Sequence, residues 1–487
     1  MNFFILLISL PFITVRTLRW LAILQQREYR TDRLKSFLLS NEGKKNFFYL
    51  IPKKKDFTRV GLKRPQITPR MAFVLNAFVF FNLLILVLVA KKTVVVFFLI
   101  TLLIHIFIPL LVWIASWPTW IVFYTYIQNE VAQAEKKIKN NDPIVIGITG
   151  SYGKTATKAL LAHVLKEKHT VFSTPKSFNT KFSLPKSINQ GYKKQEIAIL
   201  EFAAYTTGEI KALALHFPAD IAIITGYTPQ HLAIFGSKDA IIHAKSELIE
   251  SSKDGIPVFY NGQDKEVKEI CIKGRAIDPI DFSDDKNIKQ FQNIQINSEG
   301  YLSFNWNKRL IKTHLVGVHY LTNVAAIIAV CQKLKLSDSQ ITKGLTSFKP
   351  ADVFIQSYKL KNGSSVIDDG RSANPKGFEA AINLCKEIKR SKQRAILITS
   401  GIVDLGNQSS SIHMHLAKKS KDCFNLIIYT NESGRNEFKK VFGKTKLITK
   451  QEDIERILNT LTENDLILIE GKLPIWIRKF FKNASNI

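Results

Sequence analysis

The chain has 487 residues, enough for two or three domains, and 22% of them are charged, which is near the average for globular proteins. It is also strongly basic, with 69 Lys and Arg against 40 Asp and Glu, and it is rich in Phe. Its four cysteines stand alone with no Cys-x-x-Cys pair, which excludes a cysteine metal site and favours a reducing compartment.

Two long uncharged runs occupy the N-terminal quarter of the chain. Met71–Ala90 is twenty residues without a charge, and Thr93–Asn129 contains no Asp, Glu, Lys or Arg. A helix of roughly 20 residues crosses about 30 Å of hydrocarbon, so both runs are long enough to span a membrane. We predict a membrane region over residues 1–128, with transmembrane helices near residues 71–90 and 93–115.

Two further segments of this region, the first apolar run and an aromatic segment, do not have the plain pattern of a transmembrane helix. Arg16 and Arg19 interrupt the apolar run Asn2–Leu24. That run is a third span, an interfacial helix or a signal-like segment, and its residues leave the three alternatives open. The Trp- and Tyr-rich segment Trp117–Gln128 is typical of the boundary between membrane and water.

The basic segment between the first two apolar runs, residues 27–70, predicts the orientation of the chain. It has thirteen Lys and Arg against four Asp and Glu, including Lys53-Lys54-Lys55. An excess of Lys and Arg in a short loop marks the cytoplasmic side. We therefore expect a multi-pass protein of the cell membrane with cytoplasmic catalytic domains. A basic chain can also indicate nucleic acid, but charge beside spans suits anionic lipid headgroups, so we expect a membrane and no nucleic acid as partner.

A pattern typical of phosphate binding follows the membrane region. The β-branched run Ile144–Thr149 breaks into glycines, then Lys154 and Thr155, then a helix-compatible segment. A strand, a tight loop and a helix N-terminus in this order hold nucleotide phosphates. Lys154 is expected to reach the β- and γ-phosphates of ATP, and the Thr155 hydroxyl to bind Mg²⁺. An ordinary loop is the alternative, because Gly-x-x-Gly-Lys-Thr is shorter than the full pattern. The predicted nucleotide-binding residues here are Gly150, Ser151, Gly153, Lys154, Thr155 and Ala156.

The rest of the chain alternates short apolar strands with helical patterns, which predicts an α/β fold with parallel sheets. We expect an ATP-binding domain over residues 140–349 and a smaller Rossmann-like domain over residues 350–487, joined at Phe348-Lys349-Pro350. The predicted strands are Ile144–Thr149, Ile197–Glu201, Ile221–Thr225, Pro257–Tyr260, Ser365–Asp368, Ala395–Thr399, Asn425–Tyr429 and Leu466–Ile469. The predicted helices are Lys154–Glu167, Gly208–His216, Lys238–Glu250 and a stretch from Tyr320 to Leu334.

Three residues downstream of the loop suit the chemistry of phosphoryl transfer. Glu201 ends a buried strand, so its carboxylate is expected at the edge of the sheet beside the phosphate loop. His231 lies in the loop after the next strand, and Lys245 lies in the helix after that loop. Each has an ordinary alternative: a helix cap or solvated acid, a structural histidine and a solvated charge.

Taken together, these segments resemble the Mur ligase family, the ATP-dependent amide-forming enzymes of peptidoglycan synthesis, over about residues 140–475. The branch they resemble most is that of the ligases that add D-alanyl-D-alanine. The matching segments, in chain order, are Thr149–Thr155, Ser177–Thr180, Glu201 with Gly208–Ile210, His231 with Phe235–Ser237, Ala244–Glu247, Gly317–Asn323, and Asp368-Asp369 with Ala373–Pro375.

The resemblance implies a role for each matching residue. Thr155 and Glu201 would hold one Mg²⁺, and His231 would hold a second that also meets the substrate carboxylate. Lys245 matches a family lysine that is often carbamylated, a change that turns a cation into an anion. The nucleotide would be held at its base by Asn323 and on its ribose side by Asp368 or Asp369.

Two departures from the family pattern stand out. The family usually carries an arginine in the segment that corresponds to Pro350–Gln356, where this chain has none. We hypothesise that Arg371 supplies the missing cation. The second departure is that membrane spans stand where the family has a soluble domain that grips the uridine-nucleotide end of its precursor.

These patterns predict a membrane-anchored ligase that uses ATP and Mg²⁺ and acts through an acyl phosphate. Its partners would be a cell-wall precursor, for which a lipid-linked molecule is one candidate, and the amine of an amino acid or dipeptide. Two alternatives remain. One is a related ligase for another carboxylate and amine, as in poly-amino-acid synthesis or amidation. The other is a catalytically weak ATP-binding membrane scaffold, which the missing arginine would explain.

Overall fold

The computed structural model describes residues 1–39, 41–58, 62–229, 232–284, 288–371, 373–403 and 405–485. The chain forms two compact units, Met1–Asn129 and Glu130–Ile487.

The first unit consists of helices. Within the described residues, three helices are long and apolar enough to cross a membrane: Asn2–Gln26, Pro69–Val89 and the continuous stretch Val94–Asn141. The runs predicted near residues 71–90 and 93–115 are therefore helical, and so is the first apolar run. The helices that begin in this unit are α1 (Asn2–Gln26), α2 (Thr31–Leu39), α3 (Asn41–Phe47), α4 (Pro69–Val89), α5 (Val94–Ser116) and α6 (Pro118–Asn141), with a 3-10 turn at Lys54–Phe57.

Hydrogen bonds at both ends of α1 fix its direction relative to α4 and α5. The Asn2 side chain donates to the backbone carbonyl oxygens of Ala90 (3.0 Å) and Lys92 (3.2 Å), in the turn between α4 and α5. At the other end, Gln25 Nε2 donates to the carbonyl oxygen of Gln66 (2.8 Å), just before α4. Helix α1 therefore runs antiparallel to α4 and parallel to α5.

Much of the apolar surface of these helices is exposed, with no partner among the residues that the structure describes. Phe80 in α4 is 63% exposed, and Leu88 at the end of that helix is 68% exposed. The aromatic segment predicted at Trp117–Gln128 forms the first half of α6, where Ile121 is 75% exposed. A helix with apolar side chains on every face is typical of a buried or membrane environment.

In the second unit, six strands of the described chain form a parallel sheet in the order β2-β3-β1-β4-β5-β6. The central strand β1 pairs with β3 and β4 in register, with Ile146 beside Ile199 and Ile221. Runs of Ile and Val suit such strands because both faces of the sheet are covered by helices. The strands and helices are β1 (Ile144–Thr149), α7 (Lys154–Leu165), β2 (Val171–Ser173), α8 (Ser183–Gly191), β3 (Ile197–Glu201), α9 (Glu209–Ala214), β4 (Ile221–Ile224), α10 (Leu232–Phe235), α11 (Lys238–Glu250), β5 (Val258–Tyr260), α12 (Lys265–Lys273) and β6 (Ile280–Asp281).

A three-stranded antiparallel sheet, which the sequence patterns did not predict, follows the parallel sheet. Its strands alternate between core and solvent: in β8, Leu302, Phe304 and Trp306 are buried. Two helices then complete the core against α7. These elements are β7 (Phe291–Ile296), β8 (Tyr301–Trp306), β9 (Arg309–Val316), α13 (Leu321–Lys333) and α14 (Asp338–Ser347), with a 3-10 turn at Val318–Tyr320.

The last part of the chain forms a second sheet, in the order β10-β11-β15-β12-β13-β14. Only β10 runs antiparallel among these described strands; the others are parallel, as in a Rossmann-like domain. The predicted α/β fold is therefore confirmed. The elements are β10 (Gln356–Lys359), β11 (Ser365–Asp369), α15 (Pro375–Ile388), β12 (Arg394–Thr399), α16 (Ser409–Lys421), β13 (Leu426–Tyr429), α17 (Arg435–Phe442), β14 (Leu447–Ile448), α18 (Gln451–Asn459), β15 (Asp465–Glu470) and α19 (Ile475–Ala484), with a 3-10 turn at Gly406–Gln408.

Candidate active site

The loop after β1 has the shape that phosphate binding needs. Gly150 has φ +146° and Gly153, the cap of α7, has φ +77°, values that favour glycine. The loop is tied to the next strand end because Ser151 N–H donates to the carbonyl oxygen of Gly226 (2.7 Å). Lys154 Nζ donates to the carbonyl oxygen of Gly150 (2.7 Å), so its ammonium group lies over the loop. The N–H groups at the start of α7 and this ammonium group form an anion site.

Glu201, at the end of β3, is the centre of a buried polar cluster beside this loop. Its Oε2 lies 2.9 Å from Lys158 Nζ, and both side chains are at most 3% exposed. Its Oε1 accepts from Asn179 Nδ2 at 2.8 Å. The Thr155 hydroxyl lies 3.0 Å and 3.1 Å from the two carboxylate oxygens. The structure thus brings the predicted pair Thr155 and Glu201 together.

The charges in this cluster stabilise each other against burial. Burial raises the pKa of Glu201, but the cations of Lys158 and Lys154 outweigh it and hold that pKa below its usual range. Burial lowers the pKa of both lysines, and the Glu201 carboxylate opposes that shift. The acid is therefore ionised at neutral pH, which a carboxylate metal ligand requires.

Lys245, in α11, lies in a different electrostatic environment. Its side chain is buried, with 4% of the residue exposed. Burial first, and then the nearby charge of Lys154, lower its pKa to about 7, although Glu209, Glu247 and Glu201 oppose the shift. A substantial fraction of this amine is therefore uncharged at neutral pH, unlike an ordinary surface lysine.

The site opens into a large cavity of about 1430 Å³. Asn323 enters it from α13 and is held there because its Nδ2 donates to Thr157 Oγ1 (2.8 Å). Asp368 is not among the lining residues; its Oδ1 accepts from Gly370 N–H (2.8 Å). His231 lies outside the described residues. The predicted site residues that line the cavity are Gly150, Ser151, Gly153, Lys154, Thr155, Ala156, Glu201, Lys245, Asn323, Asp369 and Arg371.

A pair of acids from the last sheet reaches the cavity through one member: Asp369 is partly buried and lines the cavity, and Glu470 is fully buried behind it. Asp369 and Glu470 are neighbours on the paired strands β11 and β15. Burial, helped by the charge of Asp368, raises the pKa of Asp369 to about 8, and burial also raises the pKa of Glu470. The pair therefore retains a proton at neutral pH, and a protonated carboxyl can donate as well as accept hydrogen bonds.

Arg371, proposed as the missing cation, lines the cavity but is occupied by a different partner. It forms an ion pair with Asp352, and the two side chains are 61% and 75% exposed. An exposed pair of this kind is weak, so it leaves the guanidinium free to exchange partners.

The sequence patterns missed two contributors to the site. Lys158 is one helical turn after Lys154, and that spacing is the signal that could have revealed it. The second contributor is a link between the last sheet and the phosphate loop. Lys376, at the start of α15, pairs with Asp264, whose Oδ2 accepts from the Tyr152 hydroxyl (3.1 Å) and from Tyr227 N–H (3.1 Å).

The donor atoms around the loop fit Mg²⁺ but do not form a closed metal site. In the described part of the chain, no group of three or more His, Cys, Asp or Glu is placed to hold a metal ion. Mg²⁺ usually takes one or two carboxylates and fills its other positions with water and phosphate oxygens. The Glu201 carboxylate and the Thr155 hydroxyl meet that requirement, while Lys158 holds one oxygen of Glu201 in place.

Comparison with known proteins shows what the part of the chain that carries these features is similar to. Residues 148–331 match the Mur ligase middle domain. A UDP-N-acetylmuramoyl-tripeptide–D-alanyl-D-alanine ligase of Bacillus subtilis is 25% identical over 350 residues, which are 70% of this chain and 75% of the relative. The ligase of the same name from Mycobacterium bovis is 27% identical over 283 residues, 56% of this chain, and the match spans 55% of that relative.

Solved structures show the same fold. The MurF ligase from Thermotoga maritima in complex with ADP has a TM-score of 0.61 and 25% identity, covering 74% of this chain and 84% of that one. MurF from Acinetobacter baumannii has a TM-score of 0.63 and 21% identity, covering 74% and 80%. A pseudomurein peptide ligase from Methanothermus fervidus, at a TM-score of 0.54 and 18% identity, shares the fold.

Proposed function

We propose that this chain, whose residues 148–331 match the Mur ligase middle domain, is an ATP-dependent carboxylate–amine ligase that acts through an acyl phosphate on a cell-wall precursor at the membrane. The observation that carries the proposal is the cluster of Lys154, Thr155, Lys158 and Glu201, which lines a cavity of about 1430 Å³. The cavity is large enough for a nucleotide and a second substrate.

In the proposed reaction, a substrate carboxylate oxygen attacks the γ-phosphorus of ATP. The new O–P bond forms as the bond to the bridging oxygen breaks, and ADP leaves. The amine then attacks the acyl carbon, and inorganic phosphate leaves from the tetrahedral intermediate as the amine loses its proton. Lys154 neutralises phosphate charge over the loop, and Mg²⁺ would be held by Thr155 and Glu201 and would offset the charge that develops on the phosphate oxygens.

The remaining residues have supporting parts in this proposal. Asn323 and Asp369 line the cavity where the base and ribose of a nucleotide would lie. Carbamylation would convert Lys245 into an anion beside the metal. His231, the proposed ligand of a second Mg²⁺, lies outside the described residues. Arg371 would leave Asp352 and move to the phosphates when ATP binds.

The substrate is proposed from the family and from the first unit together. The relatives are named as ligases of UDP-N-acetylmuramoyl-tripeptide and D-alanyl-D-alanine. The three apolar helices of this chain favour a precursor presented at the membrane, in the lipid-linked form, with an amino acid or dipeptide as the amine. The excess of Lys and Arg in residues 27–70 favours the cytoplasmic side for the catalytic unit.

The test uses the full-length protein in liposomes with ATP and Mg²⁺. Soluble nucleotide-linked and lipid-linked precursors are offered separately, each with a panel of amino acids and dipeptides. We expect phosphate release that requires both a carboxylate and an amine, with a product heavier by one amide-linked unit. Lys154→Met should abolish both readouts.

Each alternative predicts a different result in the same assay. Consumption of the soluble precursor alone contradicts the membrane-presented substrate. Turnover only with carboxylates unrelated to the cell wall indicates a ligase for another pair. ATP binding without phosphate release under any combination indicates a scaffold.

A further inference from the structure

Helix α1 contains a buried arginine whose partners are all backbone carbonyl groups. Arg16 is 2% exposed. Its guanidinium donates to the carbonyl oxygens of Tyr49 (2.6 Å), Phe47 (2.9 Å) and Ile106 (3.3 Å). Within the described residues, no carboxylate forms an ion pair with it. A charge placed in an apolar helix is costly, so this arrangement requires a structural or functional reason.

A histidine of α5 has the same kind of partner. His105 Nε2 donates to the carbonyl oxygen of Leu50 (2.8 Å). His105 is eleven residues from either end of α5 (Val94–Ser116), which is about 16 Å of helix. Leu50 therefore lies level with the middle of a helix that is long enough to span a membrane.

The side chains around Leu50 face away from the protein and are apolar. Phe48 is 74% exposed, Ile51 is 76% exposed and Phe57 is 51% exposed. The ring of Phe57 lies against that of Phe12 in α1, with a centroid distance of 6.3 Å. The exposed apolar surface of α1 therefore meets this segment at Phe57.

Two polar side chains of the segment, Tyr49 and Asp56, have partners within the protein. Asp56 is 2% exposed and pairs with Arg19 of α1 at 2.9 Å. The Tyr49 hydroxyl donates to the other oxygen of Asp56 at 2.5 Å, and the Arg19 guanidinium lies 4.1 Å from the centre of the Tyr49 ring. Lys53 and Lys54 are exposed, and their long side chains can extend to lipid headgroups.

We propose that residues 47–58 form a re-entrant segment that enters the cytoplasmic leaflet and contacts lipid acyl chains. Non-helical backbone can lie at membrane depth only where protein groups take up its hydrogen bonds. Arg16 and His105 perform that task for Phe47, Tyr49 and Leu50. The inference rests on the membrane anchoring proposed above. It explains why two arginines interrupt the first apolar run, since each holds the segment against α1.

The experiment places single spin labels on the full-length protein in liposomes and measures collision with oxygen and with a water-soluble nickel chelate. The four native cysteines are buried, so they compete little for the label. Labels at Phe48→Cys and Ile51→Cys test the segment. Phe80→Cys, 63% exposed on α4, is the lipid control, and Ile272→Cys, 77% exposed on α12, is the water control.

We expect positions 48 and 51 to resemble position 80, with high access to oxygen and low access to nickel. If they resemble position 272 while position 80 remains in lipid, the re-entrant segment is wrong and the anchoring stands. If position 80 also collides freely with nickel, the anchoring itself is wrong. Arg16→Leu should raise nickel access at position 48 severalfold while position 80 is unchanged; an unchanged position 48 would contradict the role of Arg16.

Discussion

At the scale of single residues, Lys245 shows how position in the fold changes the chemistry of a common side chain. Burial and the charge of Lys154 lower its pKa to about 7. A neutral amine can attack CO₂, which forms an N–C bond and releases a proton, whereas an ammonium group cannot. Lys245 therefore has the protonation state that carbamylation needs.

We predict that the protein incubated with ¹³C-bicarbonate shows a carbamate resonance assigned to Lys245. Because the neutral form increases as pH rises through the pKa, the signal should grow between about pH 6 and about pH 8. Lys245→Met should remove it. Lys253→Met is the control, because that lysine is half-exposed and pairs with Asp220. A signal that persists in Lys245→Met would contradict the assignment.

Arg371 carries the second prediction at this scale. If it supplies the cation that the family arginine would provide, Arg371→Ala should lower kcat by about 100- to 1000-fold, the usual cost of losing one group that stabilises a transition state. Steady-state phosphate release checks this. Arg456→Ala, on the exposed face of α18, is the matched control and should retain activity. Near-normal turnover in Arg371→Ala would show that Arg371 does not replace the family arginine.

At the scale of elements, helix α15 is joined to the phosphate loop by a chain of side chains. Lys376 at its start pairs with Asp264, and the same carboxylate accepts the Tyr152 hydroxyl within the loop. Asp264 is 6% exposed, so the removal of its cation leaves a nearly buried charge with less compensation. The position of the last sheet is thereby coupled to the shape of the loop.

We predict that Lys376→Met raises KM for ATP more than it lowers kcat, because the loop loses a support and no group that touches the reacting atoms is removed. A half-exposed ion pair contributes about 1 kcal/mol, which corresponds to roughly fivefold in KM. Lys386→Met, on the same helix but paired with Asp422, is the control. An unchanged KM together with a lower kcat would indicate a catalytic role for Lys376 instead.

Local sequence patterns predicted the elements whose signal is local. The strands Ile144–Thr149 and Ile197–Glu201 and the helix Lys238–Glu250 lie where their apolar runs indicated. The hairpin of β8 and β9 was missed because its turn, Asn307-Lys308, adopts positive φ at both residues without the glycine that usually marks such a turn. The pair of Lys376 and Asp264 was also missed, because 112 residues separate its members and no periodicity connects them.

At the scale of the whole molecule, the proposed membrane topology follows from the directions of the helices in the first unit. Helix α1 runs parallel to α5 and antiparallel to α4, so Arg27 and Arg70, the two ends of the basic segment, lie at the end of the unit where α5 ends. In the proposed topology the three helices cross the membrane, so the N-terminus and the Lys91-Lys92 turn would lie on one side of it. The ends of the basic segment and the chain after α5 would lie on the other side, which we propose is the cytoplasmic side because of the excess of Lys and Arg in that segment.

This arrangement predicts that the protein stays in the membrane pellet after extraction with alkaline carbonate. High pH releases proteins that are attached by charge, whereas helices inserted in the hydrocarbon remain. In sealed inside-out vesicles, added trypsin should cut after accessible lysines and arginines of residues 27–70 and of the catalytic unit. In right-side-out vesicles, only the turn at Lys91-Lys92 is exposed. Mass spectrometry of the fragments distinguishes the two patterns. Release by carbonate would show that the helices lie on the membrane surface. Cleavage of the catalytic unit in right-side-out vesicles would show the opposite orientation, with the catalytic unit on the side of the membrane that lacks ATP.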